Sequence, residues 1–294
     1  MTASTLRRLV LLTIASAAVS APAWGSTLYG VTFGDELITI NPSTGTGTVV
    51  GNLSTSFYSF DLAAYNNSLL TFDPIVSLSF QEISPANAQT IGSVSVGFGP
   101  LAGKGSFVVL SNGTGFLDAR TNGVTNNDLY SFNLAAGTSS LIQGNGSILF
   151  DGLALSSGGT LFGMDRGGDS LYSINTTTGA PTLIGLTGIP QPSPAYVLGG
   201  LTFDQNGNLY AALSDDQNNN NLYSIDPANG AATLIGPIGS GMTVSGIAFL
   251  STVSASGASP TPEPAGALLT GTGLLLAAAA IRRRGQRAGG RLQR

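Results

Sequence analysis

The chain contains neither cysteine nor histidine. Without cysteine there are no disulfide staples, so a folded state must rest on a core large enough to hold by itself. Without histidine the commonest general base is gone, and with it the Ser/His/Asp and Cys/His nucleophilic arrangements and the usual zinc sites. Positive charge is also scarce where a fold has to be built. Between residues 26 and 260 the only basic side chains are Lys104, Arg120 and Arg166, against fourteen acids, so this stretch carries −11 while the whole chain carries −4. Such a surface repels nucleic acid, and repels acidic polysaccharide unless divalent cations bridge the two. No glycine fingerprint lies between a strand and a helix to cradle phosphate, and no stretch between the two termini keeps a helical period.

The two ends carry what the middle lacks. Arg7 and Arg8 precede an apolar run at 9–19, and Ala21-Pro22-Ala23 places small residues at alternate positions. This is the pattern of a secretory signal peptide removed near residue 23. At the other end a Ser/Pro-rich linker, 251–264, leads into Pro262-Glu263-Pro264, a seventeen-residue apolar run at 265–281, and six arginines beginning with Arg282, Arg283 and Arg284. At about 1.5 Å per residue that run reaches roughly 25 Å, just enough for a short transmembrane helix. The arginines hold its far end in the cytoplasm, so everything before it faces outward.

This three-part tail resembles the PEP-CTERM sorting signal of Gram-negative, exopolysaccharide-producing bacteria. The resemblance implies cleavage near the triplet by an exosortase-type transpeptidase, after a signal peptidase has acted at the N-terminus. It also implies a protein first anchored in the membrane and then sent to the cell surface or extracellular matrix.

The middle of the chain repeats. Leu171-Tyr172-Ser173-Ile174-Asn175 returns as Leu222-Tyr223-Ser224-Ile225-Asp226, as Leu129-Tyr130-Ser131-Phe132-Asn133, as Leu37-Ile38-Thr39-Ile40-Asn41, and more weakly as Phe80-Gln81-Glu82-Ile83-Ser84. A turn rich in Pro, Asn, Thr and Gly follows each, then usually an apolar stretch, which is a hairpin signature. A second pair precedes each hairpin, as in Gly200-Leu201-Thr202-Phe203 and Asn208-Leu209-Tyr210-Ala211. Units of about 40 to 50 residues with four short strands have the size of propeller blades. The array ends on an orphan first strand, 245–249, and begins on an orphan second strand, 27–30. Pairing them would close a ring and remove exposed sheet edges. The expectation is an all-β, five-bladed β-propeller over 26–250, with an open stack of sheets as the alternative. The repeat is similar to that of secreted bacterial propellers of unassigned function, a resemblance that implies fold and not activity.

Chemistry is thinner. Asp61 and Asp151 share a Phe-Asp-(Gly)-Leu-Ala context at the start of a first strand, which would bring them to one mouth of a central channel. There they would hold Ca2+ with backbone carbonyls and water, or accept a backbone N–H and cap a turn. Asp165, Arg166 and Asp169 stand in the loop between second and third strands of one repeat, and Asp215 and Asp216 in the equivalent loop of the next. Both loops are longer and more polar than a tight hairpin needs, and would form a binding rim or simply a solvated one. Asp204-Gln205-Asn206-Gly207-Asn208 lacks the distal glutamate of a calcium loop and reads as a turn. Tyr130, Tyr172, Tyr210 and Tyr223 recur with the repeat, as packing between blades would require, though such rings also stack on sugars. The composition thus favours a non-enzymatic surface protein with no cofactor beyond the Ca2+ candidate, binding exopolysaccharide or another surface protein. The alternative is an exported carbohydrate-active or ester-cleaving hydrolase that uses channel carboxylates.

Overall fold

A computed structural model describes residues 26–54, 61–73, 78–99, 101–121, 127–144, 148–165, 170–189, 199–214, 220–239 and 242–251. The chain divides into Met1–Thr252 and Val253–Arg294, and every described residue belongs to the first unit. The expected signal peptide, the Pro262-Glu263-Pro264 motif, the sorting helix and Arg282, Arg283 and Arg284 lie outside the described residues. Among the described residues no helix is long and apolar enough to cross a membrane.

Twenty strands form five antiparallel four-stranded sheets. Blade 2 is β4 (Leu62–Tyr65), β5 (Ser68–Asp73), β6 (Ser79–Ile83) and β7 (Thr90–Ser95), and blade 3 is β8 (Leu101–Val109), β9 (Thr114–Thr121), β10 (Asn127–Asn133) and β11 (Thr138–Gly144). Blade 4 runs β12 (Phe150–Leu155), β13 (Leu161–Asp165), β14 (Ser170–Ile174) and β15 (Pro181–Leu186). Blade 5 runs β16 (Gly200–Phe203), β17 (Leu209–Ser214), β18 (Asn220–Ile225) and β19 (Ala232–Pro237). Blade 1 is composite: β1 (Ser26–Thr32), β2 (Glu36–Ile40) and β3 (Gly47–Asn52) take their innermost strand, β20 (Val244–Ser251), from the other end of the chain. Leu28 pairs with Phe249, Tyr29 with Ala248 and Gly30 with Ile247. The expected closure is therefore present, and the weak copy at Phe80 is a true third strand, β6.

The inner strands β4, β8, β12, β16 and β20 each touch the next and close a ring. Five apolar clusters fill the five junctions between blades. The junction of blades 2 and 3 is aromatic: the rings of Phe72 and Phe80 lie 4.8 Å apart, and those of Phe80 and Phe132 4.9 Å apart. The others are mainly aliphatic, with single pairs such as Tyr210–Phe249 at 5.3 Å. Buried Tyr130 and Tyr223 pack in these junctions as their periodicity predicts.

The turn between third and fourth strands needs one residue at positive φ, and Gly45, Gly137, Gly179 and Gly230 supply it at 81°, 64°, 71° and 83°. Blade 2 places Ala88 there, at 62°. These turns also join blades. Gly45 of blade 1 lies against Gly236 of blade 5, and Gly230 of blade 5 lies against Gly185 of blade 4, backbone to backbone. Gly51 of blade 1 likewise lies against Asn87 of blade 2, so these turns seat on the fourth strand of the preceding blade. Each fourth strand also carries a β-bulge, as where Tyr172 pairs with Leu183 but Leu171 with Gly185. Bulges twist an edge and discourage strand-to-strand pairing between molecules. Outer strands nonetheless show Leu141, Leu183, Leu186 and Leu234 to solvent at 55–64% exposure.

Candidate functional site

Strand direction gives the ring two unlike ends. First strands start at one end, where the connections between second and third strands and from blade to blade also lie. Among the described residues the other end holds tight turns, such as 41–46, 156–160 and 226–231, together with Ser26 and Ser251, the first and last of them. Among the described residues, Asp35, Glu36, Asp61, Asp73, Asp128, Asp151 and Asp165 stand toward the long-connection end by their positions on the strands and connections, Asp118 lies mid-strand, and Glu82, Asp204 and Asp226 stand toward the tight-turn end.

Three consecutive residues of every inner strand line the axial channel: 62–64, 107–109, 153–155, 201–203 and 247–249. It encloses about 180 Å³, and its side chains are Leu, Ala, Val, Ile and Phe apart from Thr202. No titratable group stands among these fifteen. The residue just before each lining triplet is Asp61, Ser106, Gly152, Gly200 or Gly246, and here the inner strands come closest. A Cβ on Gly200 would stand 2.3 Å from Ile247 N, and one on Gly246 would stand 2.4 Å from Leu62 N.

At the same level of the ring, Asp61 fills the space with a clasp. Its side chain is 2% exposed and accepts hydrogen bonds from Leu62 N at 2.8 Å, Ser106 Oγ at 2.8 Å and Phe107 N at 2.9 Å. The two bonds from Ser106 and Phe107 tie the start of β4 to β8. Asp151 looks equivalent in sequence but differs by one residue. It is 1% exposed and sits on the bulge where β12 pairs Phe150 with Asp165 and Gly152 with Met164. The inserted Gly152, and not Asp151, occupies the position that matches Asp61. The two carboxylates thus stand at the long-connection end of the inner strands in different settings. Among the described residues no group of three or more acids gathers as a metal site would.

A second clasp was missed in the sequence. Asp118, fully buried in the middle of β9, accepts Asn127 Nδ2 at 2.6 Å and Phe150 N at 3.3 Å, linking blade 3 to blade 4. The signal was an acid inside the apolar run Phe116-Leu117-Asp118-Ala119, where only a bonded carboxylate survives burial.

Of the predicted rim residues, Asp165 ends β13, is half-buried and accepts Ser170 N at 3.2 Å. Burial raises the pKa of the nearby Tyr172 hydroxyl, and the Asp165 charge adds to that. Arg166, Asp169, Asp215 and Asp216 lie outside the described residues. Asp204 is a turn residue, as read: Asn206 N, Asn208 N and Asn208 Nδ2 donate to it at 2.8–2.9 Å. Partial burial alone would raise its pKa, but the bonds from Asn208 and Asn206 outweigh it and hold the carboxyl below its ordinary value.

No family model matches the chain, and no curated protein matches it. Among solved structures it is similar to a chain in a nidogen/laminin complex, with a TM-score of 0.52 and 12% identity over 77% of this chain and 98% of that one. It is also similar to a luciferin-regenerating enzyme (TM-score 0.46, 16% identity, 72% of each chain) and to YCF48 bound to a D1 peptide (TM-score 0.40, 12% identity, 71% of this chain and 63% of that one). At such identities the likeness is one of fold.

Proposed function

We propose that the protein is a non-enzymatic, exported β-propeller of the cell surface or extracellular matrix, routed by its Pro262-Glu263-Pro264 tail, which binds polysaccharide or another surface protein with its long-connection end. The observation that carries this reading is the sidedness of the ring. Ser26 and Ser251, the first and last described residues, stand at the tight-turn end, opposite the strand ends that carry the blade-to-blade connections. That opposite end holds the blade-to-blade connections and most of the described acids, on a scaffold fixed by blade-to-blade clasps, the usual placement of binding residues. The hydrolase alternative finds less support. No titratable side chain lines the channel, and the Asp61 carboxylate already holds Ser106 and Phe107.

The test is expression of the full chain in a host that carries an exosortase, followed by fractionation and mass analysis. The expected result is a shortened protein at the surface or in the matrix, and an uncut, membrane-retained protein when Pro262, Glu263 and Pro264 are replaced by alanine. Identical size and location of the two would overturn the sorting reading. Retained binding to the host matrix after Asp165→Ala, Asp215→Ala and Asp216→Ala together would overturn the assignment of the binding end.

A further inference from the structure

Away from the channel and the long connections, the blades carry hollows with a chemistry of their own. One lies on blade 3, lined by β9, β10 and β11, and encloses about 240 Å³. Another lies on blade 4 at the equivalent place, toward the tight-turn end, and encloses about 430 Å³. The blade 4 volume reaches the lower part of the range for small-ligand pockets, and that of blade 3 falls just short of it. The strand register explains their common character. In blade 3, Phe116 pairs with Ser131 and Ser131 with Ser140, while Thr114 pairs with Asn133 and Asn133 with Thr138. Cross-strand partners, and residues two apart along a strand, share a face. These six side chains therefore stand on one side of the sheet.

Blade 4 repeats the set: Thr160 for Thr114, Ser173 for Ser131, Asn175 for Asn133 and Thr182 for Ser140, all four lining its hollow. In both blades the asparagine Oδ1 is fixed by the turn, accepting Ala136 N at 3.0 Å in one and Thr177 N at 2.9 Å in the other. That leaves Nδ2 as the donating half of each carboxamide. No charged side chain lines either hollow. In blade 5 the same position is Asp226, which brings a charge in.

We propose that the hollows of blades 3 and 4 are a pair of binding sites for a neutral polysaccharide. Uncharged hydroxyls and carboxamides match the mixed donor and acceptor hydroxyls of a sugar ring, and half-buried Phe116 offers an apolar surface to the C–H face of that ring. With no cationic side chain lining either hollow to pair with a uronate or sulfate, the neutral class is the one selected. Two like sites on adjacent blades would let one long glycan engage both, raising avidity without new contacts. This goes beyond the long-connection reading and does not depend on it.

The test uses full-length protein purified in detergent, on an array of neutral glucans, galactans and mannans beside uronate-rich glycans. Ser140 and Thr182 lie exposed on outer strands, so Ser140→Leu with Thr182→Leu fills the hollows and deletes two hydroxyls while sparing the core. The expected result is saturable binding to a neutral glycan, weakened at least tenfold in this double variant and kept in Ser140→Thr with Thr182→Ser, at an unchanged melting temperature. Binding only to uronate-rich glycans, or to none, would overturn the proposal. Binding lost in the Asp165→Ala, Asp215→Ala, Asp216→Ala variant but kept in the leucine variant would overturn it too, while leaving the long-connection reading standing.

Discussion

Replacing Gly246 with alanine tests the closest approach in the ring. The new Cβ would stand 2.4 Å from Leu62 N, 2.5 Å from Asp61 Cα and 2.6 Å from Asp61 C, all of them backbone atoms of the neighbouring inner strand. Ordinary contact begins near 3.4 Å, so β20 and β4 must part by about 1 Å, an overpacking that costs about 1–3 kcal/mol. The displaced segment is also the one whose Asp61 carboxylate holds Ser106 and Phe107, so the strain reaches a third blade. The entropy gained from Gly→Ala offsets less than about 1 kcal/mol. A net loss of about 1–2 kcal/mol lowers the melting temperature of a domain this size by about 2–8 °C. Calorimetry of the full chain is the assay, with Gly158→Ala as control, since a Cβ there meets nothing closer than Ser156 Oγ at 3.8 Å. Equal melting temperatures for the two variants would refute the packing argument.

Other substitutions probe separate features. Asp61→Ala removes the acceptor of one buried hydroxyl and two buried N–H groups and should cost about 3 kcal/mol in urea unfolding, whereas Asp61→Asn, which keeps one acceptor oxygen, should cost less. The depressed pKa of Asp204 contributes stability that is present above the unfolded carboxylate pKa and is lost as pH falls through the folded value. Asp204→Asn should therefore flatten the acid limb of the stability profile while keeping the turn, and an unchanged limb would contradict the bonding described. Leu183→Lys with Leu234→Lys, at positions 55% and 57% exposed, should shift unfolding by less than about 0.5 kcal/mol and reduce light scattering at high concentration.

The blades were legible because each repeat pairs an alternating strand with a turn whose chemistry is local. Leu171-Tyr172-Ser173-Ile174-Asn175 holds all of β14 except its first residue, and the orphan pieces at 27–30 and 245–249 fall within β1 and β20. Local pattern is enough for that. The clasps were not legible, since they join residues of different blades: nothing near Asp118 in sequence announces Phe150 as its partner. Asp61 and Asp151 show how parity misleads. One inserted glycine moves an acid from the site of closest approach onto a bulge, and a one-residue slip changes which way a strand side chain points. The hydroxyl hollows needed register as well, because Ser131 and Ser140 become one surface only when β10 lies beside β11.

The composite first blade sets an order on the making of the ring. A chain synthesised from its N-terminus presents β1 early, with one edge able to pair at once to β2 and the other waiting for β20. The bond from Ser245 Oγ to Val31 O at 3.3 Å joins residues 214 apart. Closing a loop of that length costs about 5 kcal/mol of chain entropy, which the last strand must offset in one step. Blades 2 to 5 can assemble as hairpins while the waiting edge stays open, so a chain stopped before Val244 holds four whole blades and one unfinished one. The last strand to emerge is thus the one that locks the first.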